Sequence, residues 1–496
     1  MHRRRFLELS LGLAALPLIV RQTWAATPLA MPGMDHTGHD MAAMSGENAV
    51  VALPQGRPLP SLVRLANRGG AGHVTGELVA APIELPLLPG RQSTTFWAYN
   101  GSVPGPLIEA YEGDTVEIAF TNRLAQPTTI HWHGLPVPAD QDGNPHEPVL
   151  PGAERRYRFT LPKGSAGTYW YHPHPHGNTG QQAYMGLAGA FIVRRRDDPL
   201  ARLPEQLLML SDLKLDADGN IAANSMADRH DGREGQFVLV NGALRPTLAL
   251  AEGERQRWRL WNATSARILK IALPAHEVHL VGTDGGPIAA PRRVEHLLLA
   301  PGERAELVVT GRFNAGKTPG LVALPYSRGK AMHPEQGAVL PLMTLTRHGR
   351  RASAPLPARL AEVAALPAPV VRRRVEFSEN MADPKAMFLI NGKTYDMNRI
   401  DFEGKVGQVE EWEIVGNAHM DHPFHLHGTQ FQVLARTEDG QWHDEPYLAW
   451  HDVVNVAAGE SVRLRFRQDL PGLRMFHCHI LEHEDQGMMG QLLVRT

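Results

Sequence analysis

Asn100-Gly101, then Glu112-Gly113, then Thr115-Val116-Glu117-Ile118-Ala119-Phe120-Thr121-Asn122 is the stretch that decides the fold class, because the chain repeats its plan twice more. Asn241-Gly242 and Asn391-Gly392 restart it, followed by Glu252-Gly253 and, more loosely, by Gly407. The runs Gln256-Arg257-Trp258-Arg259-Leu260 and Glu411-Trp412-Glu413-Ile414 then match Thr115 to Phe120, and each ends near an Asn, at Asn122, Asn262 and Asn417. Side chains in these runs alternate with period two, as a half-buried strand requires. Later in each copy a Gly leads another alternating run: Gly152 before Tyr157 and Phe159, Gly302 before Leu307 and Val309, Gly459 before Val462, Leu464 and Phe466. Short strands between turn signals at this spacing predict an all-β chain of sandwich or barrel domains. Helical periodicity is scarce, with a weak instance from Leu356 to Leu366.

The 496 residues divide on this reading into 50–197, 198–347 and 372–496, with an Ala-, Pro- and Arg-rich linker at 348–371. Apolar residues make up 43% and charged residues 21%, an ordinary globular balance, and the 47 Gly and 39 Pro favour turns and short strands. A net charge of −2 removes the bulk electrostatic case for nucleic acid or anionic lipid as partner. The runs Arg194-Arg195-Arg196 and Arg372-Arg373-Arg374 are short and read as solvated surface.

At the N-terminus, Arg3-Arg4-Arg5 precedes a short apolar stretch from Leu9 to Val20, with small residues at Ala25 and Ala26. That is a signal-peptide pattern over 1–26, too short to span a bilayer. The paired arginines before Phe6-Leu7 resemble a twin-arginine signal read by the export machinery for folded proteins; an ordinary secretory signal or an anchor is the alternative. The expectation is a periplasmic mature protein that does not span the membrane.

Composition alone predicts about one His-x-His pair among 25 histidines, yet five occur. They lie in four clusters: His131-Trp132-His133-Gly134, His172-Pro173-His174, His422-Pro423-Phe424-His425-Leu426-His427 and His477-Cys478-His479, followed by His483. In an extended chain residues i and i+2 share a face, so each pair aims two imidazoles at one point, the use a metal cluster would make of them. Solvated or core histidines would explain one such pair but not four clusters. Cys478 is the single cysteine, so it is a buried apolar filler, a nucleophile or a metal ligand. On a strand it points away from His477 and His479. With His422, His483 and a weak thioether from Met488 it composes a two-His, one-Cys blue-copper set; Met488 as core filler, like its neighbour Met489, is the plainer alternative.

These four motifs resemble the copper signature of the multicopper oxidases over most of the chain from about residue 50. The resemblance implies three cupredoxin-like Greek-key β-sandwich domains, four copper ions and dioxygen as oxidant. It places type 1 copper on His422, Cys478, His483 and Met488, and type 2 copper on His131 and His425. The type 3 pair falls on His133, His172 and His479 and on His174, His427 and His477. His176 lies outside the ligand pattern and reads as a neighbour of the ligands or as surface. The stretches His172-Pro-His-Pro-His-Gly177 and His483-Glu-Asp-Gln-Gly-Met-Met489 are most similar to bacterial periplasmic cuprous oxidases of copper tolerance, with laccases as close neighbours. In that subgroup two acids supply protons, at positions matching Asp142 and Glu484; either acid could instead orient a ligand histidine.

The resemblance is incomplete at the substrate end. The long Met-rich insert of cuprous oxidases is missing, and the third domain opens instead with Met381, Met387 and Met397. The Met that helps hold incoming copper is matched by Met420, but Ala418 stands in place of the Asp, with His419 and Asp421 nearby. A cuprous donor is the first expectation, with small phenols or aromatic amines second. A copper-storage protein and a relative that keeps the fold without copper are the rivals from other classes. The segment 27–49 carries Met31, Met34, His36, His39, Met41 and Met44, soft thioethers and imidazoles suited to Cu(I), and reads as a flexible copper-binding tail or a plain linker. If it captures Cu(I), deleting 27–49 raises the apparent KM for cuprous ion and leaves phenol oxidation unchanged; equal cuprous saturation curves for truncated and full-length protein at matched copper content would reduce it to a linker.

Overall fold

In a computed structural model of the chain, residues 51–313, 320–333, 335, 337–383 and 386–496 are described. The signal-like segment and Met31, Met34, His36, His39, Met41 and Met44 therefore lie outside the described residues. The regular secondary structure of the described residues is almost entirely strand, with three short α-helices at Thr179–Tyr184, Met226–Asp231 and Leu481–Asp485. Six sheets pair off along the chain into three cupredoxin-like sandwiches.

Each copy of the repeat builds the same corner. The first strand of each sandwich runs parallel to the strand that follows the Glu-Gly turn, or Gly407 in the third copy: His73–Leu85 beside Thr115–Asn122, Glu205–Leu213 beside Arg255–Asn262, and Val371–Glu379 beside Val409–Asn417. An antiparallel strand closes the other flank, at Glu154–Thr160, Arg304–Thr310 and Ser461–Arg467. The Asn-Gly pairs have a backbone reason. Asn100, Asn241 and Asn391 sit at φ of 52°, 51° and 52°, and the following glycines at 70°, 72° and 72°. Both central residues of a tight hairpin turn need positive φ, which Asn and Gly supply with least strain. The Asn amides also accept from Val79, Met209 and Glu376 N–H groups on the first strands, tying each turn to its sheet.

Each sandwich has its own apolar core. Trp132, Tyr157 and Phe191 belong to the first, Trp258, Leu307 and Leu321 to the second, and Trp412, Phe424 and Phe476 to the third. The stretch 351–370 contains no helix, and its prolines at 355, 357, 367 and 369 explain why. Leu360 instead drops into the second core, where its N–H donates to the Ala289 carbonyl. The strand Leu340–Arg350 runs past the expected start of the linker at 348.

Candidate metal centres

The antiparallel register of two strands in the third sandwich separates two donor sets. His422–Leu426 pairs with Gly472–Cys478 so that Phe424 faces Cys478 and His425 faces His477. Alternation then sends His422, Phe424 and Cys478 to one side and His425, His427 and His477 to the other. The same device operates in the first sandwich, where Trp132 enters the apolar core between His131 and His133. His131 and His172 are joined by reciprocal backbone hydrogen bonds of 2.8 and 3.2 Å, which bring their chelating pairs together.

On the first side, His422 Nδ1 lies 3.4 Å and His483 Nδ1 4.0 Å from Cys478 Sγ, and the two nitrogens are 3.2 Å apart. The short helix Leu481–Asp485 carries His483, and Phe388 stacks on its ring at 3.8 Å. Met488 is fully buried, and its carbonyl accepts from the Cys478 N–H at 3.0 Å. The outer nitrogens are fixed from outside. His483 Nε2–H donates to the His230 carbonyl at 2.9 Å, and His422 Nε2–H to Glu379 Oε1 at 3.2 Å. Burial pushes the Cys478 thiol up, so a thiolate forms there only when a cation replaces the proton.

On the second side, eight histidines converge, all with no solvent exposure. His131 Nε2 and His425 Nε2 face each other at 3.4 Å. His477 Nε2 lies 3.2 Å from His174 Nε2 and 3.1 Å from His427 Nε2. His133 Nδ1 faces His172 Nε2 at 3.4 Å, and both ring nitrogens of the adjacent His479 have no hydrogen-bond partner among the described residues. Burial first, and then repulsion between neighbouring imidazoles, holds His133, His172, His174, His425, His427 and His479 well below the ordinary histidine range. They are neutral rings with lone pairs aimed inward. Unsatisfied buried nitrogens in such numbers are costly unless a cation accepts them. The donor atoms of His131-His133-His172, of His174-His427-His477 and of His422-Cys478-His483 each lie within 4.8 Å of one another. All-imidazole sets and a two-imidazole, one-thiolate set suit copper.

Three family models, each described as multicopper oxidase, match residues 86–198, 205–320 and 367–496. A multicopper oxidase of Staphylococcus haemolyticus is 34% identical over 404 residues, covering 80% of this chain and 83% of the relative. The chain belongs to the multicopper oxidase family. The solved structure of a Campylobacter jejuni multicopper oxidase, described as a metallo-oxidase, superposes with a TM-score of 0.85 at 42% identity, covering 90% of this chain and 96% of that one. The cell division protein FtsP of Salmonella typhimurium is also similar, at 31% identity over 80% of this chain and 85% of the relative.

The oxidase places both expected acids against its cluster. Asp142 Oδ1 lies 3.1 Å from His131 Nδ1, and Asp142 Oδ2 3.3 Å from His427 Nδ1, with Arg474 Nη1 at 3.6 Å. Glu484 Oε1 is 3.5 Å from His174 Nδ1, and its Oε2 is 3.2 Å from His477 Nδ1. Burial, then the neighbouring Asp485 carboxyl, pushes the Glu484 carboxyl well above the ordinary range. The expected substrate residues are divided by the fold. Met420 is fully buried in the third core, and Asp421 accepts hydrogen bonds from Tyr326 and Asn455 at 2.6 and 2.7 Å. Met381 is 52% exposed and lines an open groove of about 530 Å³ with His230, Ala331, Glu379, Asn417, Ala418 and His419. Met397 is exposed away from the residues lining that groove, Met387 packs against the third core, and His176 lies at the surface beside Tyr395.

Sequence reasoning missed Glu379, His230 and Asp452, the last within 3.0 Å of His133 Nε2. None carries a local pattern that marks it. Copper-loaded Cys478→Ser is expected to lose the intense blue absorption while copper still binds the histidine cluster, as read from the visible spectrum and metal content. A blue band surviving in the variant would refute the thiolate assignment.

Proposed function

We propose that this chain is an exported, periplasmic cuprous oxidase serving copper tolerance, which takes single electrons from Cu(I) beside Cys478 and reduces dioxygen to two waters at the histidine cluster. The observation that carries this reading is the strand register that sets Cys478 and His477, covalent neighbours, on the two donor sets. His422, Cys478, His483 and Met488 would hold type 1 copper, and His131 with His425 type 2. His133, His172 and His479 would hold one type 3 ion and His174, His427 and His477 the other. Bound there, copper supplies a one-electron couple at the first site and a dioxygen-reducing centre at the second.

The remaining work belongs to side chains. Reducing dioxygen to water takes up protons inside a site with no exposed ligand. Burial favours the protonated form of Glu484, and its carboxyl oxygens face the His174 and His477 rings of the cluster. Asp142 spans His131 and His427, a different pair of rings from the His174 and His477 that Glu484 faces. Both also orient the rings they touch.

The groove supports a metal donor. Glu379 and His230 line it, and each is one hydrogen bond from a type 1 histidine. Burial raises the Glu379 carboxyl, but its hydrogen bonds with His422 and His419 outweigh this and hold it at about 2, so it is an anion under working conditions. It supplies the carboxylate that Ala418 lacks. With the Met381 thioether and the His419 imidazole it offers Cu(I) a mixed soft set, whereas no Phe, Tyr or Trp is among the described lining residues to stack on a phenol. The Campylobacter metallo-oxidase is similar across nearly the whole chain. A laccase-type phenol oxidase is the second reading, favoured by the openness of the groove. The FtsP relative is described as a cell division protein, and a shared scaffold does not by itself define an activity; the oxidase reading is supported here by the grouped donor atoms.

Oxygen uptake by copper-loaded enzyme offered Cu(I) and a simple phenol in parallel tests this directly. Met381→Leu combined with His419→Gln is expected to lower kcat/KM for Cu(I) ~10-fold more than for the phenol, a combined loss of roughly 1.4 kcal/mol for the two ligands. Equal losses on both donors, or a wild-type preference for the phenol, would replace the cuprous reading with the laccase one.

A further inference from the structure

The middle sandwich contributes no histidine to either donor set, yet its strand Arg304–Thr310 places a fully buried arginine against the cluster. Arg304 Nη1 donates to Asp452 Oδ1 at 2.5 Å, and its Nη2 donates to Asp452 Oδ2. The same guanidinium donates from Nε to the Thr168 carbonyl of the first sandwich at 2.8 Å and from Nη1 to the Gly302 carbonyl at 2.9 Å. Asp452 belongs to the third sandwich. Its backbone carbonyl accepts from His425 Nδ1–H at 2.7 Å, and its Oδ2 accepts from Gln430 Nε2 at 2.6 Å. Gln430 Nε2 also donates to the Gly134 carbonyl at 2.8 Å. Asp284 of the middle sandwich lies within 3.2 and 3.3 Å of the Asp452 and Val453 N–H groups and accepts from them. Three sandwiches meet at one carboxylate.

That carboxylate decides how one ligand is presented. Both Asp452 oxygens already face donors, so the His133 Nε2 that lies 3.0 Å from Oδ1 carries its hydrogen toward Asp452. His133 is left to turn Nδ1 toward the cluster, whereas His131, His174, His425, His427 and His477 meet one another through Nε2. The glycine of the His131-Trp-His-Gly134 motif fits the same need. Gly134 stands at φ +84°, and a Cβ there would collide with the Asp452 carboxylate and lie 2.6 Å from Arg304 Nη2.

We propose that Arg304 is a positioning residue for the oxygen-reducing cluster: by clamping Asp452 it fixes the tautomer of His133 and so ties the ligand-free middle domain to the type 3 copper pair. The inference rests on the copper assignment above. Losing an outer partner of a metal-bound histidine weakens metal binding ~10–100-fold. Asp452→Asn keeps the volume, but both carboxylate oxygens now accept from Arg304, so an amide NH₂ at either position meets a donor and breaks the clamp that presents the carboxylate to His133.

The test is chelator competition for copper on full-length protein, with near-ultraviolet type 3 absorption and type 1 and type 2 EPR recorded on the same samples. Asp452→Asn is expected to bind the type 3 pair ~10–100-fold more weakly, with the blue type 1 band and its EPR unchanged. The paired replacement Arg304→Met with Asp452→Leu removes both charges together, which is often neutral for stability. It is expected to melt close to wild type and still lack the near-ultraviolet band. Should the paired variant hold type 3 copper as tightly as wild type, or Asp452→Asn leave both cluster signatures unchanged, the clamp is only a structural ion pair and the proposal falls. Wild-type protein that takes up copper at type 1 alone would instead overturn the copper assignment beneath it.

Discussion

The two-residue alternation of a single extended strand, Gly472–Cys478, is the constraint on which the two metal centres depend. Because successive side chains leave a strand on opposite faces, Cys478 and its neighbours His477 and His479 enter different sites while staying covalently adjacent. A register slip of one residue would exchange the faces, putting the thiol among the imidazoles and a histidine into the apolar core. The slip is opposed by packing: Phe424 and Phe476, on the face of Cys478, are fully buried around Trp412. Chemistry and core packing are therefore specified by the same pattern.

The second constraint is desolvation. Ten buried histidines and a buried thiol converge on two small volumes, and burial holds the shifted imidazoles neutral and the thiol protonated. Neutral rings with inward lone pairs gain little from one another, so the folded chain holds a site whose stabilisation comes with the metal. The outer nitrogens show the complementary rule. Asp142, Asp452, Glu379 and the carbonyls of Pro173, Asp452, Cys478 and His230 each engage a ring on the side away from the site. The rings are thereby oriented before any ion arrives.

How much of this was legible in the sequence depends on locality. The strands, the Asn-Gly turns and the chelating pairs are all short-range patterns, so period-two alternation and i, i+2 spacing were enough to read them. Glu379, at the end of a strand, and Asp452, just before one, are lone acids 43 residues from His422 and 319 from His133, and only the tertiary fold brings them there. Arg304 was hidden for the same reason, in a domain that looked chemically silent. Met420 differs in the opposite way: its position matches a family motif, and its side chain is buried in the third core and is not among the residues lining the groove. The weak helical period at Leu356 to Leu366 was overruled by prolines and by the pull of the second core on Leu360.

The central claim is that two donor sets on opposite faces of one strand hold different kinds of copper. Diffraction at the copper absorption edge from crystals of the copper-loaded protein tests it most directly. The account predicts four anomalous peaks: one among Cys478, His422 and His483, and three enclosed by the eight remaining histidines of the clusters. A peak at the cysteine site alone, or an empty histidine cluster in fully loaded protein, would contradict it.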